Sequence, residues 1–137
     1  MKATVHEYQK NNTKILSKTF AKVLTVLVVS ILTSSCGVFG SLNSNTSIKP
    51  NESFVLGNNE HNSFKVKLKN VSKNEIKIYK APINGGTHSP QIISPNEIVT
   101  VKVESNTALV IENKSNDYAS VDLKVTGDLG LSMGYKN

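Results

Sequence analysis

Tryptophan and arginine are both absent from the 137 residues, and cysteine occurs once, at Cys36. One thiol excludes an internal disulfide, and with three histidines it leaves too few scattered ligands for a Cys/His metal cluster. The missing guanidinium fork removes the side chain on which nucleic-acid and phosphate recognition most depend, so no nucleic-acid partner is expected. Aromatic residues make up only 6% of the chain, and sugar-stacking platforms are correspondingly scarce, with Tyr79 and Tyr118 the plausible exposed ones. Long apolar runs are also lacking. The longest, residues 23–32, has ten residues, against the roughly 20 that a membrane-spanning helix needs.

What charge there is divides unevenly. The formal net charge is +6, yet five lysines (Lys2, Lys10, Lys14, Lys18, Lys22) and one acid (Glu7) precede Cys36. From Cys36 onward eleven lysines face nine carboxylates. The basicity therefore belongs mainly to the N-terminus, as a targeting segment requires.

The lysine flank leads into Val23-Leu-Thr-Val-Leu-Val-Val-Ser-Ile-Leu32, then Thr33-Ser34-Ser35-Cys36. A positive flank, a short apolar core and small residues before a cleavage point are the parts of a signal peptide. With the sole thiol directly after them, the region resembles the type II signal peptide, with its lipobox, of bacterial lipoproteins. The looseness of the box, with Thr33 where an aliphatic residue is usual, is similar to lipoproteins of the Bacteroidota. The resemblance implies that residues 1–35 are a signal peptide, helical in its apolar part, and that Cys36 becomes a lipid-bearing N-terminus. It covers about 36 residues and does not extend to the domain that follows. By analogy, the lack of an Asp after Cys36 and of an early acidic cluster implies the periplasmic face of the outer membrane.

Residues 36–51 are polar and without periodicity, and they are expected to form the lipidated cysteine and a flexible tether of about 20–25 Å reach. The folded domain is then expected over 52–137. Phe64-Lys-Val-Lys-Leu-Lys69 alternates apolar and charged side chains, as a strand half buried and half wet does. Similar patterns recur at 54–56, 76–78, 91–93, 98–103, 108–112, 119–125 and 129–135, separated by Asn-, Ser- and Gly-rich stretches. No segment after residue 40 keeps a helical period over two turns. The expectation is an all-β fold, a single antiparallel β-sandwich, immunoglobulin-like or similar, of seven or eight strands. The stretch Asn70–Asn74 reads as the turn of a hairpin. An echo at an offset of 43 aligns 66–72 with 109–115, which suggests two similar hairpins in facing sheets.

Two groups stand out as contact candidates. Lys65, Lys67 and Lys69 project from one strand face over about 13 Å, and Lys77 is expected beside them on the next strand. Such a face suits lipid head groups or an acidic partner, or serves simply as a solvated side. The loop 81–90 carries Gly85, Gly86, Thr87 and His88, where a glycine pair could bring backbone N–H groups near a ligand. It offers no third group for a Ser/His pairing, opens no helix as a phosphate loop would, and Glu60-His61 has no partners at metal-ligand spacing. No catalytic residues, metal ligands or cofactor site can be assembled. The function expected is that of a non-catalytic, lipid-anchored envelope lipoprotein presenting its sandwich to another envelope component, a protein or glycan. The alternative is a glycan- or small-ligand-binding module using the 81–90 loop.

Overall fold

Alternation along the chain becomes alternation of burial. In Phe64–Asn70, Phe64, Val66, Leu68 and Asn70 are buried, and the lysines between them face solvent. The structure, a computed structural model, describes residues 40–137. The expected signal segment and Cys36 lie outside the described residues. Nine strands follow one another: β1 (Ser41–Ile48), β2 (Ser53–Leu56), β3 (Phe64–Asn70), β4 (Ile76–Pro82), β5 (His88–Ile93), β6 (Ile98–Val103), β7 (Thr107–Glu112), β8 (Ala119–Gly127) and β9 (Met133–Lys136). They form two antiparallel sheets: sheet A in the order β1-β8-β3-β6, and sheet B in the order β5-β4-β7-β2-β9. The fold is an all-β sandwich, as the alternation predicts.

The order has a simple origin. β1 pairs with β8, β2 with β7, β3 with β6 and β4 with β5. These are the nested pairs of one long hairpin, rolled so that successive pairs fall in alternate sheets. That is the jelly-roll arrangement, to which β9 adds an edge strand beside β2. The immunoglobulin order expected as one option is not found, because β1 and β2 lie in different sheets.

Three further expectations are corrected. The first is the tether: residues 41–48, inside the expected flexible segment, form β1 and pair with β8 along their full length. Its inward side chains are Leu42, Ser44, Thr46 and Ile48, with Ile48 fully buried. Ser44 and Thr46 hydrogen-bond each other at 3.1 Å, which satisfies hydroxyls that read as loop chemistry in the sequence. The second is the hairpin at Asn70–Asn74, because β3 and β4 do not pair and the stretch crosses from sheet A to sheet B. The last strand is also shorter than expected, since β8 runs on to Gly127 and β9 begins only at Met133. Gly127 is required there. Its φ is +97°, and a Cβ would lie 2.9 Å from the Ser63 carbonyl oxygen.

The echo at offset 43 corresponds to twin crossovers at one end of the sandwich. Asn70 and Asn113 are both fully buried. Asn70 Nδ2 donates to the Asn74 and Ile93 carbonyls, while its Oδ1 accepts from the Ser72 backbone and hydroxyl. Asn113 Nδ2 donates to the Asp117, Ile48 and Lys49 carbonyls, and its Oδ1 accepts from the Ser115 backbone and hydroxyl. Asn74 Nδ2 then donates to Asp117 Oδ2 at 3.2 Å and joins the two loops. Each asparagine does for a crossover what a hairpin turn does for adjacent strands.

Between the sheets, Leu56, Val66, Leu68, Ile76, Ile78, Ile93, Leu109, Ile111, Val121 and Val125 form a core with almost no exposure. Among the described residues no buried side-chain nitrogen or oxygen lacks a hydrogen-bond partner. Residues 40–137 thus close their own core and satisfy their own polar groups, so they fold as a unit.

Candidate functional site

Sheet A turns its outer face to solvent, and the strand register fixes what stands there. Thr126 of β8 pairs with Ser41 and with Lys65, and Lys65 pairs with Lys102. In the next row Asn43, Lys124, Lys67 and Thr100 lie side by side, and in the third Asn45, Asp122, Lys69 and Ile98. Three residues of a row's neighbours along β3 span about 13 Å, and four strands span about 14 Å. Within this area lie Lys65, Lys67, Lys69, Lys102 and Lys124 with a single carboxylate, Asp122. Asn45 Nδ2 donates to that carboxylate at 2.7 Å.

The chain from Cys36 on is nearly balanced in charge, so this is segregation rather than general basicity. Lys65 stands directly opposite Lys102, and Lys67 directly opposite Lys124, an arrangement that costs stability in a sheet. The four ion pairs among the described residues, Lys49–Glu52, Lys77–Glu112, Lys80–Glu104 and Lys114–Glu112, all lie elsewhere. Lysine on an edge strand can serve to block sheet-to-sheet pairing. That account does not apply to Lys65, Lys67, Lys69 and Lys124, because β3 and β8 are interior strands. A shallow trough of about 530 Å³ crosses the face, lined by Asn43, Asn45, Lys67, Lys69, Asp122 and Lys124 among others.

Lys77 does not belong to this group. β4 lies in sheet B, so Lys77 projects from the opposite side of the sandwich. There it sits 3.9 Å from Glu112 and 5.6 Å from the centre of the Tyr79 ring. Burial, reinforced by the Glu112 charge, raises the Tyr79 phenol above its ordinary value. Lys102 and Lys124 were not singled out in the sequence, because only the register of β6 and β8 against β3 brings them to the face.

The 81–90 loop is the β4–β5 hairpin, and both of its glycines have positive φ, +107° at Gly85 and +97° at Gly86. Side chains other than hydrogen are strained in that conformation, which accounts for the pair. Gly85 and His88 line an open cavity of about 770 Å³ together with Glu60, Ile83 and Asn106. Thr87 is exposed beside them. At the same end, Lys80 Nζ donates to both Glu104 oxygens at 3.0 and 3.1 Å. That hydrogen bond, with one from the backbone, holds the Glu104 carboxyl below its usual range.

His61 belongs to the packing of this end rather than to a loop surface. Its backbone donates to Asn106 Oδ1 at 3.1 Å. Nδ1 lies 2.6 Å from the Asn62 carbonyl oxygen, and Nε2 lies 3.0 and 3.1 Å from those of Gly57 and Thr107. The ring meets Phe64 edge-on at 5.1 Å. Tyr79, Tyr118 and His88 do not gather into one site. Tyr118 and Tyr135 instead flank a cavity of about 470 Å³ with Lys49 and Glu52 at the opposite end. No group of three or more His, Cys, Asp or Glu placed to hold a metal ion occurs among the described residues.

The chain matches no known family model and no curated protein. Among solved structures it is similar to the capsular polysaccharide assembling protein CapF from Staphylococcus aureus. That match has 20% identity and a TM-score of 0.48, covering 62% of this chain and 24% of CapF. CapF with the inhibitor 3-isopropenyl-tropolone gives 20% identity and a TM-score of 0.47 over 61% of this chain and 23% of that one. The chain therefore spans about a quarter of the length of the protein it matches.

Proposed function

We propose that the protein is a non-catalytic, lipid-anchored envelope module that presents its β-sandwich to another, anionic component of the envelope. The observation that carries this reading is the outer face of sheet A, where five lysines gather on a nearly balanced chain and two pairs stand directly opposite each other. Groups that repel in the free protein are retained where a partner of opposite charge neutralises them. The lysine flank, apolar core and Thr33-Ser34-Ser35-Cys36 sequence support attachment through Cys36, and by analogy the lack of an Asp after it and of an early acidic cluster favours the periplasmic side of the outer membrane. A lipid confines the domain to one surface and raises its effective concentration for partners there.

Fatty-acid labelling of the protein in a diderm bacterium tests the anchor. Label on the wild type and none on Cys36→Ser is the expected result, and equal label on both contradicts it. A second reading, a small-ligand or glycan module at the 81–90 loop, is favoured by the cavity beside Gly85 and His88. It separates from the first by one variant. If His88→Ala reproduces the deletion phenotype while the protein stays folded and anchored, the cavity is the site. If His88→Ala is silent and Lys67→Glu with Lys124→Glu is not, the lysine face is.

A further inference from the structure

The partner of the lysine face follows from where β1 begins. Residues 37–40 alone separate Cys36 from Ser41, the first residue of β1. The five steps from Cys36 to Ser41 reach at most about 18 Å, short of the tether expected from composition. β1 is itself one of the two edge strands of sheet A, and Ser41 stands in the same row as Thr126, Lys65 and Lys102. A lipid on Cys36 would hold that end of sheet A within one short span of the bilayer, next to the first of the lysine rows.

We infer that the outer face of sheet A docks onto the anionic phospholipid head groups of the membrane in which the protein is anchored. This inference rests on the anchored reading given above. The face has the chemistry for it. Ammonium groups on long flexible stems meet dispersed phosphates as point charges, without the fixed fork that one shaped ligand requires. The residues around them, Ser41, Asn43, Asn45, Thr100 and Thr126, are small hydrogen-bonding groups. Ile98, half exposed at the rim, is the one large apolar side chain there. The face therefore lies against a polar, negatively charged surface rather than inserting into hydrocarbon. The lipid would hold the domain at the membrane, and the basic face sets which side of the sandwich turns toward it. Docked this way, the sandwich presents sheet B, with the Tyr79 and Ile92 side, away from the membrane.

The test uses residues 37–137 without lipid, so that its outcome is independent of whether Cys36 is acylated. Cosedimentation is measured with vesicles of phosphatidylcholine alone and with a third of phosphatidylglycerol, at 50 and 300 mM salt. Binding to the anionic vesicles only, weakened at least tenfold by the higher salt, is expected. Lys67→Glu with Lys124→Glu should weaken it at least tenfold more, while Lys73→Glu with Lys136→Glu, an equal change of charge elsewhere, should not. Circular dichroism confirms that each variant is folded. Equal binding to both vesicles, equal loss in both double variants, or no binding to anionic vesicles overturns the inference. In the last case, binding to an acidic polysaccharide in a parallel arm would retain the anionic-partner reading and replace only the membrane. A chain that binds vesicles through this face but carries no lipid in cells would instead remove the anchor and leave the docking surface.

Discussion

Lys67 and Leu68 are neighbours in sequence and opposites in consequence. Leu68 is fully buried between the sheets, and Leu68→Ala should cost about 2–5 kcal/mol in chemical denaturation, as buried leucines do. Lys67→Ala should change stability by less than about 0.5 kcal/mol. Lys67→Glu is the more informative change. It converts the repulsive pair with Lys124 into an attractive one, so the protein should gain about 0.2–1 kcal/mol while losing contact with its partner. A face shaped only by folding would not combine greater stability with weaker binding. His61, which the sequence offers as a lone histidine in a polar loop, is a packing residue. Its ring bridges the Gly57, Asn62 and Thr107 carbonyls, and His61→Ala should cost about 1–3 kcal/mol. Nothing in the local sequence marks it: Gly57 and Asn62 belong to its own loop, and the fold alone brings Thr107 of β7 to the ring.

Elements differ in how openly the chain declares them. β3 is legible because bulky apolar and charged side chains alternate, and β6 and β8 for the same reason. β1 is not, because its inward positions include Ser44 and Thr46, whose hydroxyls satisfy each other at an edge. The crossovers were legible as turns but not as crossings, since an asparagine that folds back on its own loop suits both. This is why Lys77 was expected beside Lys69 and stands on the other sheet. Residues 52–137 alone would leave β8 unpaired along the side β1 covers and would lose Ile48 from the core. That fragment should aggregate in size-exclusion chromatography, whereas 37–137 should elute as a folded species. Asn113→Asp keeps the acceptor for Ser115 but removes the donor to three carbonyls, and it should cost about 1–3 kcal/mol. Asn70→Asp should behave alike. In the β8–β9 loop, the backbone N–H groups of Asn62 and Gly130 donate to Asp128 and hold its carboxyl below the usual range. A lowered carboxylate contributes above its unfolded value and is lost as pH falls through its folded one. Protection of the amides of residues 128–132 against hydrogen exchange, relative to the intrinsic rate at each pH, should therefore fall below about pH 4. Asp128→Asn should abolish that acid dependence.

At the scale of the whole molecule, the two sheets are chemically unlike. Sheet A carries polar residues outward, with lysines that form no ion pair among the described residues. Sheet B carries Val55, Tyr79, Ala81, Ala108, Val110 and Ile92 in its outward positions, with Lys77 and the neighbouring Lys114 tied to Glu112. The difference was invisible in composition, where eleven lysines and nine acids nearly cancel. It emerges only when the jelly roll distributes them, and it gives the sandwich a side to turn toward an anionic surface. The most direct measurement is the reactivity of each lysine toward a water-soluble acylating reagent, in isolated envelopes and again after detergent release, read by mass spectrometry. Lys65, Lys67, Lys69, Lys102 and Lys124 should be shielded several-fold in the envelope, with Lys73, Lys114 and Lys136 labelled equally in both states. Equal labelling of the two sets, or shielding confined to the sheet B lysines, would contradict the account.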